Sequence, residues 1–212
     1  CLDCCQNIML KLVVGTICLA TLLGCSSAPP KNQDDICAIF GEKEGWYKKA
    51  RKASRRWGTA ISVMMAFAHQ ESGFRANAKP PRTKILWIFP GPRTASAFGF
   101  AQAIDATWEA YKRSTGRRGA DRNDFADAMD FIGWYNDQSQ RINKIKKTDA
   151  YNLYLAYHEG HGGFKKRSFA KKQWLKDVAT KVTARSNAYA SQLKTCEKKL
   201  NGGFFRRFFG WD

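Results

Sequence analysis

Residues 59–74 read TAISVMMAFAHQESGF, and this stretch decides the fold around it. Its first twelve residues, 59–70, are mostly apolar and show no continuous polar face at helical spacing. A helix that is hydrophobic on all sides is normally buried inside a domain. The sequence therefore predicts a central helix over residues 59–70, with the carboxyl group of Glu71 at its end.

Glu71 shares a helix face with apolar residues. Ala68, Phe67 and Met64 precede it by three, four and seven positions, which places their side chains beside its own. An apolar wall disfavours the charged form of a carboxyl group and raises its pKa, so that the group can act as a general acid near neutral pH. Helix position alone leaves open the alternative of a solvated glutamate at a helix end.

Most of the chain between residues 41 and 200 has helical patterns. Helices are predicted over 46–57 (basic and amphipathic), over 101–114, after a cap at Asn123 or Asp124, and over 149–157. Residues 79–96 contain four prolines and predict a long loop, and Ser168 is a candidate cap before a long last helix. No segment alternates with period two, so the predicted fold class is mainly α. The apolar stripe of the last helix comprises Leu175, Val178, Val182, Tyr189, Leu193 and Cys196.

Four short motifs follow one another along the chain. Residues 71–74 read Glu-Ser-Gly-Phe, residues 97–102 read Ala-Phe-Gly-Phe-Ala-Gln, residues 156–162 read Ala-Tyr-His-Glu-Gly-His-Gly, and Tyr189 comes last. This ordered set resembles the catalytic domain of the SLT-type lytic transglycosylases, which are relatives of goose-type lysozyme. That family shows Glu-Ser-x-Phe, Gly-Leu-Met-Gln, Ala-Tyr-Asn-x-Gly-x-Gly and a late tyrosine, so the resemblance covers roughly residues 45–195.

The resemblance implies a single lysozyme-like helical domain that cleaves the β-1,4 bond between MurNAc and GlcNAc in peptidoglycan. In that family one glutamate protonates the leaving oxygen and then takes a proton from the C6 hydroxyl of the same sugar, which leaves a 1,6-anhydro end. The acetamido group of the substrate assists, so neither a second carboxylate nor a cofactor is needed. By motif match Glu71 is the acid/base, and the substrate-binding residues are Ser72, Phe100, Gln102, Tyr157, His158 and Tyr189.

Several of these assignments have a structural alternative. Gln102 can act as a local helix cap, and Tyr157 and Tyr189 can serve as core aromatic residues. The interval between the first two motifs is longer than is usual in the family. The added length is a Pro-rich loop insertion, in which Trp87 and Phe89 could line or cover the glycan groove.

The third motif departs from the family pattern at two positions. His158 replaces an asparagine, and Glu159 replaces a small residue, which adds a second carboxyl group. If Glu159 activated water, the protein would be a muramidase that hydrolyses the same bond. Glu159 follows Tyr157 by two helical positions, so their side chains diverge by about 200°, and we expect Glu159 to face away from the cleft unless the next glycines redirect it. The His-Glu-Gly-His run lacks the zincin spacing, and no metal site is predicted.

The N-terminal region has the pattern of a bacterial lipoprotein signal. Lys11 precedes an apolar run over residues 12–23, too short to span a bilayer, and residues 22–25 read Leu-Leu-Gly-Cys, which resembles a lipobox ending at Cys25. A buried apolar strand with a chance cysteine is the alternative. We predict a signal peptide over 1–24, with 1–8 a candidate upstream artefact before Met9, and a lipidated tether over 25–40. The predicted catalytic domain covers 41–200 and an aromatic and basic tail covers 201–212.

Cleavage before Cys25 would leave Cys37 and Cys196 as the only unmodified cysteines. They can form a disulfide in an oxidising periplasm, although two unrelated buried thiols stay an open alternative. Ser26 after the lipidated cysteine indicates retention at the outer membrane by the usual bacterial sorting pattern. The expected location is therefore the periplasm, with a lipid anchor.

The charge of the chain is strongly positive. There are 36 Lys and Arg residues against 18 Asp and Glu, a formal net charge of +18, which predicts attraction to polyanions. The export signal argues against nucleic acid and favours the carboxylates of peptide stems or anionic lipid. The tail, with Phe204, Arg206 and Trp211, suits a membrane interface, and a frayed end or a self-packed edge fits it equally well. A peptidoglycan-binding lipoprotein without catalysis is the remaining alternative, and the oligomeric state is not predicted.

Overall fold

The computed structural model describes residues 28–85, 89–93 and 95–209, with the backbone alone for 82–85, 89–93 and 203–209. Seven helices lie within these ranges. They are α1 (Ile36–Glu42), α2 (Trp46–Trp57), α3 (Ile61–Ser72), α4 (Asp105–Thr115), α5 (Phe125–Asn143), α6 (Ala150–Lys165) and α7 (Gln173–Phe209). The mainly α fold class is therefore confirmed. Outside the described residues lie the predicted signal peptide, the predicted lipidation site at Cys25, and two tryptophans, Trp87 and Trp211.

Helix α3 runs through the centre of the domain. Every residue from Ile61 to Ala68 is buried, and α3 contacts α2, α5 and α7. This is the burial on all sides that its apolar sequence predicts. The helix ends at Gly73, whose backbone adopts a left-handed conformation with φ of 55° and donates its N–H to the His69 carbonyl. Glu71 therefore lies in the last turn of the central helix.

Helix α1 adds to the core at a place where the sequence predicts only a tether. Its N-cap Asp35 accepts hydrogen bonds from the backbone N–H groups of Cys37 and Ala38. Three apolar residues of the helix are buried against α7 and neighbouring residues, namely Ile36, Ile39 and Phe40. The predicted boundary between tether and domain at residue 40 is therefore too late. A helix of seven residues has too few turns to give a strong periodic signal in the sequence.

A disulfide joins the two ends of the described domain. Cys37 in α1 is bonded to Cys196 in α7, with their Cα atoms 6.0 Å apart and 159 positions apart in sequence. Next to this bond, the Gln192 side chain accepts from the Ile36 N–H, and the Tyr189 hydroxyl donates to the Gln33 carbonyl. The N-terminal segment is thus held along α7 by a covalent bond and by hydrogen bonds.

The Pro-rich segment contains a small sheet, contrary to the predicted long loop. Strands β1 (Arg82–Ile85) and β2 (Phe89–Arg93) pair in antiparallel fashion, with Arg82 opposite Arg93 and Ile85 opposite Phe89. A two-stranded sheet consists of edge strands only, so the missing N–H groups of the prolines in β2 are tolerated. The prediction that Trp87 and Phe89 line the groove is not tested, because Trp87 and the side chain of Phe89 are not described.

Several helix ends differ from the predicted ones. Asp124 caps α5, as predicted. Helix α4 begins at Asp105 and not at residue 101, because a turn precedes it. Helix α6 is kinked at Gly160, with φ of 74°, but continues to Lys165. Ser168 does not cap α7, since its hydroxyl donates to Glu159 and the helix begins five residues later. The backbone of α7 continues to Phe209, within the predicted tail. None of the helices in the described ranges has the length and apolarity needed to cross a bilayer.

Candidate active site

Glu71 opens onto a cleft of about 330 Å³. The cleft is bounded by the end of α3, by the turn before α4, by the middle of α5 and by the kinked part of α6. Elements from distant parts of the chain thus meet around one carboxyl group. The lining residues are Glu71, Gln102, Ala103, Ile104, Thr107, Phe131, Tyr135, Tyr157, His158, Glu159 and Gly160.

The environment of Glu71 favours its protonated form. Burial raises the pKa of this carboxyl group from an ordinary value of 4.5 to about 7, while a hydrogen bond with Tyr154 acts in the opposite direction. The side chain still retains partial exposure toward the cleft. A carboxyl group that is half protonated near neutral pH can both donate and accept a proton, as a general acid/base must.

Aromatic residues of α6 form the wall beside Glu71. Phe67, one turn before Glu71 in α3, packs edge-on against Tyr154 and Tyr157, with ring centroids 5.3 Å away in both cases. The Tyr157 hydroxyl donates to the Ala101 carbonyl at 2.7 Å, which ties α6 to the turn before α4. Burial and the nearby Glu71 raise the pKa of both tyrosines above the usual range, so both hydroxyls stay protonated. The wall is therefore aromatic and uncharged.

The turn over residues 98–104 presents Gln102 to the cleft. Gln102 has a positive φ of 46°, and its Nε2 donates to the carbonyls of Ala78 and Gly99, both at 2.9 Å. These two bonds occupy the amide N–H groups and leave the side-chain oxygen for a ligand. Gly99 has φ of 80°, and a Cβ there would lie 2.0 Å from the Arg122 carbonyl oxygen, so this position requires glycine.

Glu159 lies at the edge of the cleft, but its carboxylate is already occupied. Its side chain is only 4% exposed, and Lys172 Nζ donates to both oxygens at 2.8 and 2.9 Å. Ser168 and His158 also bond to it. Burial raises the pKa of Glu159, but these hydrogen bonds outweigh it and lower the pKa to about 2. Glu159 is therefore an ionised group that anchors neighbouring segments to α6.

Comparison with protein families identifies the domain. The family model described as Transglycosylase SLT domain matches residues 13–196. The chain belongs to this family. No curated protein matches the chain significantly. Membership of the SLT family agrees with the helical, lysozyme-like architecture and indicates an enzyme of the lytic transglycosylase type that binds peptidoglycan.

Four of the predicted site residues line the cleft of this SLT domain, namely Glu71, Gln102, Tyr157 and His158. The other three do not. Ser72 is buried and donates to the Ala68 carbonyl, because a step of 100° along α3 turns it from the cleft into the core. Phe100 is also buried, in an aromatic cluster with Trp46 and Phe125.

Tyr189 lies away from the Glu71 cleft. It is fully buried in α7 and contributes to a different pocket of about 440 Å³ between α3 and α7, beside His69 and Arg185. Its hydroxyl is bound to the Gln33 carbonyl. In this SLT domain Tyr189 therefore fastens the N-terminal segment to α7 and lies outside the cleft that Glu71 lines.

The sequence interpretation missed two tyrosines near Glu71. Tyr154 is the hydrogen-bond partner of Glu71, and Tyr135 lines the cleft while donating its hydroxyl to the Ala156 carbonyl at 3.1 Å. Tyr154 precedes Tyr157 by three positions, so helical spacing could have placed it on the same face. Tyr135 carried no such signal. Within the described ranges, no group of three or more His, Cys, Asp and Glu residues is placed to hold a metal ion.

Proposed function

We propose that this protein cleaves the MurNAc–GlcNAc β-1,4 bond of peptidoglycan with Glu71 as its single acid/base and produces a 1,6-anhydroMurNAc end. The observation that carries this proposal is the placement of Glu71 in the cleft with a pKa of about 7. A group with this pKa is suited to the two opposite proton transfers of the reaction. Family membership supports the substrate class.

In the first step, protonated Glu71 donates its proton to the glycosidic oxygen while the bond from MurNAc C1 to that oxygen breaks. The acetamido oxygen of the same MurNAc attacks C1 and carries the positive charge. In the second step, the Glu71 carboxylate takes the proton of the C6 hydroxyl, whose oxygen attacks C1 and displaces the acetamido oxygen. Glu71 returns to its protonated form, and no water is consumed.

The state of Glu159 supports this reaction over hydrolysis. A general base for water needs a free carboxylate with a pKa matched to the task. Glu159 is buried, ionised and bonded to Lys172, Ser168 and His158, and its pKa of about 2 makes it a weak base. Glu71 is the carboxyl group that has both access to the cleft and a pKa near neutrality.

The product identifies the reaction. Digestion of purified sacculi is expected to release muropeptides with 1,6-anhydro ends, each lighter by one water than the hydrolysed product, and no new reducing ends. Mass analysis of the released muropeptides measures this directly. Glu159→Gln is the matched control, and we expect it to give the same products.

Two results would contradict the proposal. If the wild type produced reducing ends and Glu159→Gln did not, the protein would be a muramidase. Binding to sacculi without release of any muropeptide would make it a non-catalytic peptidoglycan-binding lipoprotein.

We also propose that the protein is anchored through Cys25 and faces the periplasm. The support is the signal-like run over 12–23 and the lipobox-like residues 22–25. Residues from Ala28 onward contact the domain, since the Ala28 carbonyl accepts from Lys43 Nζ at 2.7 Å and the Lys31 N–H donates to Glu42 at 2.9 Å. Only two residues separate Cys25 from this contact, so a lipid there would hold the domain close to the membrane.

Cys25→Ala tests the anchor. The substitution removes the thiol that would carry the lipid, so we expect loss of labelling by a radioactive fatty acid and release of the protein into the soluble periplasmic fraction. A Cys37→Ala variant, in which the lipobox-like residues are unchanged, is the control and should be labelled like the wild type. Equal labelling of Cys25→Ala and wild type would refute the lipoprotein assignment.

A further inference from the structure

An exposed tryptophan extends the wall of the cleft. Trp174, near the start of α7, is 55% exposed and is the most exposed of the large apolar side chains among the residues whose side chains are described. Its indole packs edge-to-face against the imidazole of His158, with ring centroids 5.2 Å apart. His158 itself lines the Glu71 cleft. The aromatic surface of the cleft therefore continues from Tyr157 through His158 to Trp174.

The backbone that carries Trp174 is anchored by residues on both sides of it. Lys172, two residues earlier, bonds to both oxygens of Glu159, and Ser168 bonds to the same carboxylate. Leu175, the next residue, is fully buried. The segment that leads into α7 is thus fastened to the kinked part of α6, so ligand binding would not require this backbone to become ordered.

We propose that Trp174 and His158 form an additional sugar-binding subsite for the glycan strand, at the His158 end of the cleft. The axial C–H groups of a pyranose ring give it an apolar face, which fits the exposed face of an indole. His158 uses Nδ1 in its bond with Glu159 at 3.1 Å, so Nε2 is the ring atom left for a sugar hydroxyl or acetamido group. This subsite rests on the proposed function, because its ligand is the same strand that Glu71 cleaves.

The test uses the Glu71→Gln variant as a parent that does not consume its ligand. Titration calorimetry measures its affinity for an octasaccharide fraction of peptide-free glycan strands from sacculi. Adding Trp174→Ala is expected to weaken binding about tenfold, the size of effect typical of one lost aromatic contact, while Trp174→Phe keeps most of the affinity. Ile142→Ala is the matched control, because Ile142 is 53% exposed but lines a separate pocket, and it should leave binding unchanged.

Nuclear magnetic resonance adds a direct readout. The indole N–H signal of Trp174 is assigned as the one that is missing in the Trp174→Phe spectrum. This signal should shift when the parent is titrated with the octasaccharide. Unchanged affinity in Trp174→Ala, or an indole signal that does not move, would overturn the subsite and leave the proposed function standing. A parent that binds no glycan, together with a wild type that cleaves no sacculi, would overturn both.

Discussion

Glu71→Gln is expected to lower the rate of peptidoglycan cleavage by about 10³-fold or more, within the range measured for loss of a general acid/base. The amide has nearly the shape of the carboxyl group but can neither protonate the leaving oxygen nor accept the C6 hydroxyl proton. Glu159 cannot replace it, because its carboxylate is held by Lys172 and stays ionised. Release of soluble muropeptides from sacculi measures the effect, with Glu159→Gln as the control that should retain cleavage.

The same variant should also change how stability depends on pH. The pKa of Glu71 is about 7 in the folded chain and 4.5 in the unfolded chain. Between these two pH values the folded chain therefore binds more protons than the unfolded chain. The contribution of Glu71 to the free energy of unfolding is fully present below about pH 4.5 and is lost as the pH rises through 7. Glu71→Gln should therefore be more stable than wild type at pH 8, on the order of 1–3 kcal/mol, and similar at pH 4.

Urea unfolding of both proteins at the two pH values tests this prediction. Near-wild-type turnover by Glu71→Gln would show that the catalytic assignment is wrong. A stability difference that is the same at pH 4 and pH 8 would show instead that the fold does not raise the pKa of Glu71.

Removal of the disulfide is expected to cost about 4–5 kcal/mol of unfolding free energy on the chain-entropy model. The bond closes a loop between positions 159 apart, so breaking it greatly increases the freedom of the unfolded chain. In the folded chain, α1 would keep its buried face, formed by Ile36, Ile39 and Phe40, and its contacts with α7. The double variant Cys37→Ala/Cys196→Ala, compared with wild type in urea, measures the loss.

Reduction provides the matched control for this measurement. A reducing agent should lower the stability of the wild type produced in the periplasm and leave the double variant unchanged. Thiol titration that finds Cys37 and Cys196 both free in the unreduced protein would contradict the pairing.

Patterns within single segments were enough to predict much of the architecture. The apolar stretch over 59–70 predicted the central helix, the basic amphipathic pattern over 46–57 matched α2, and Asp124 was a recognisable cap. The order of the motifs led to the family, and helical spacing placed Glu71 beside Phe67. These inferences depend on neighbours one or two turns apart, whose relative positions the helix itself fixes.

Tertiary structure decided which residues meet. Ser72 and Phe100 belong to the motifs but are buried, and Tyr189 binds the N-terminal segment, because each is surrounded by elements from other parts of the chain. Tyr154 contacts Glu71 although 83 positions separate them, and Lys172 neutralises Glu159 from the segment before α7. Periodicity specifies the face of a helix but not the element that packs against it. The pKa of Glu71, its partner and the role of Glu159 therefore follow only from the assembled fold.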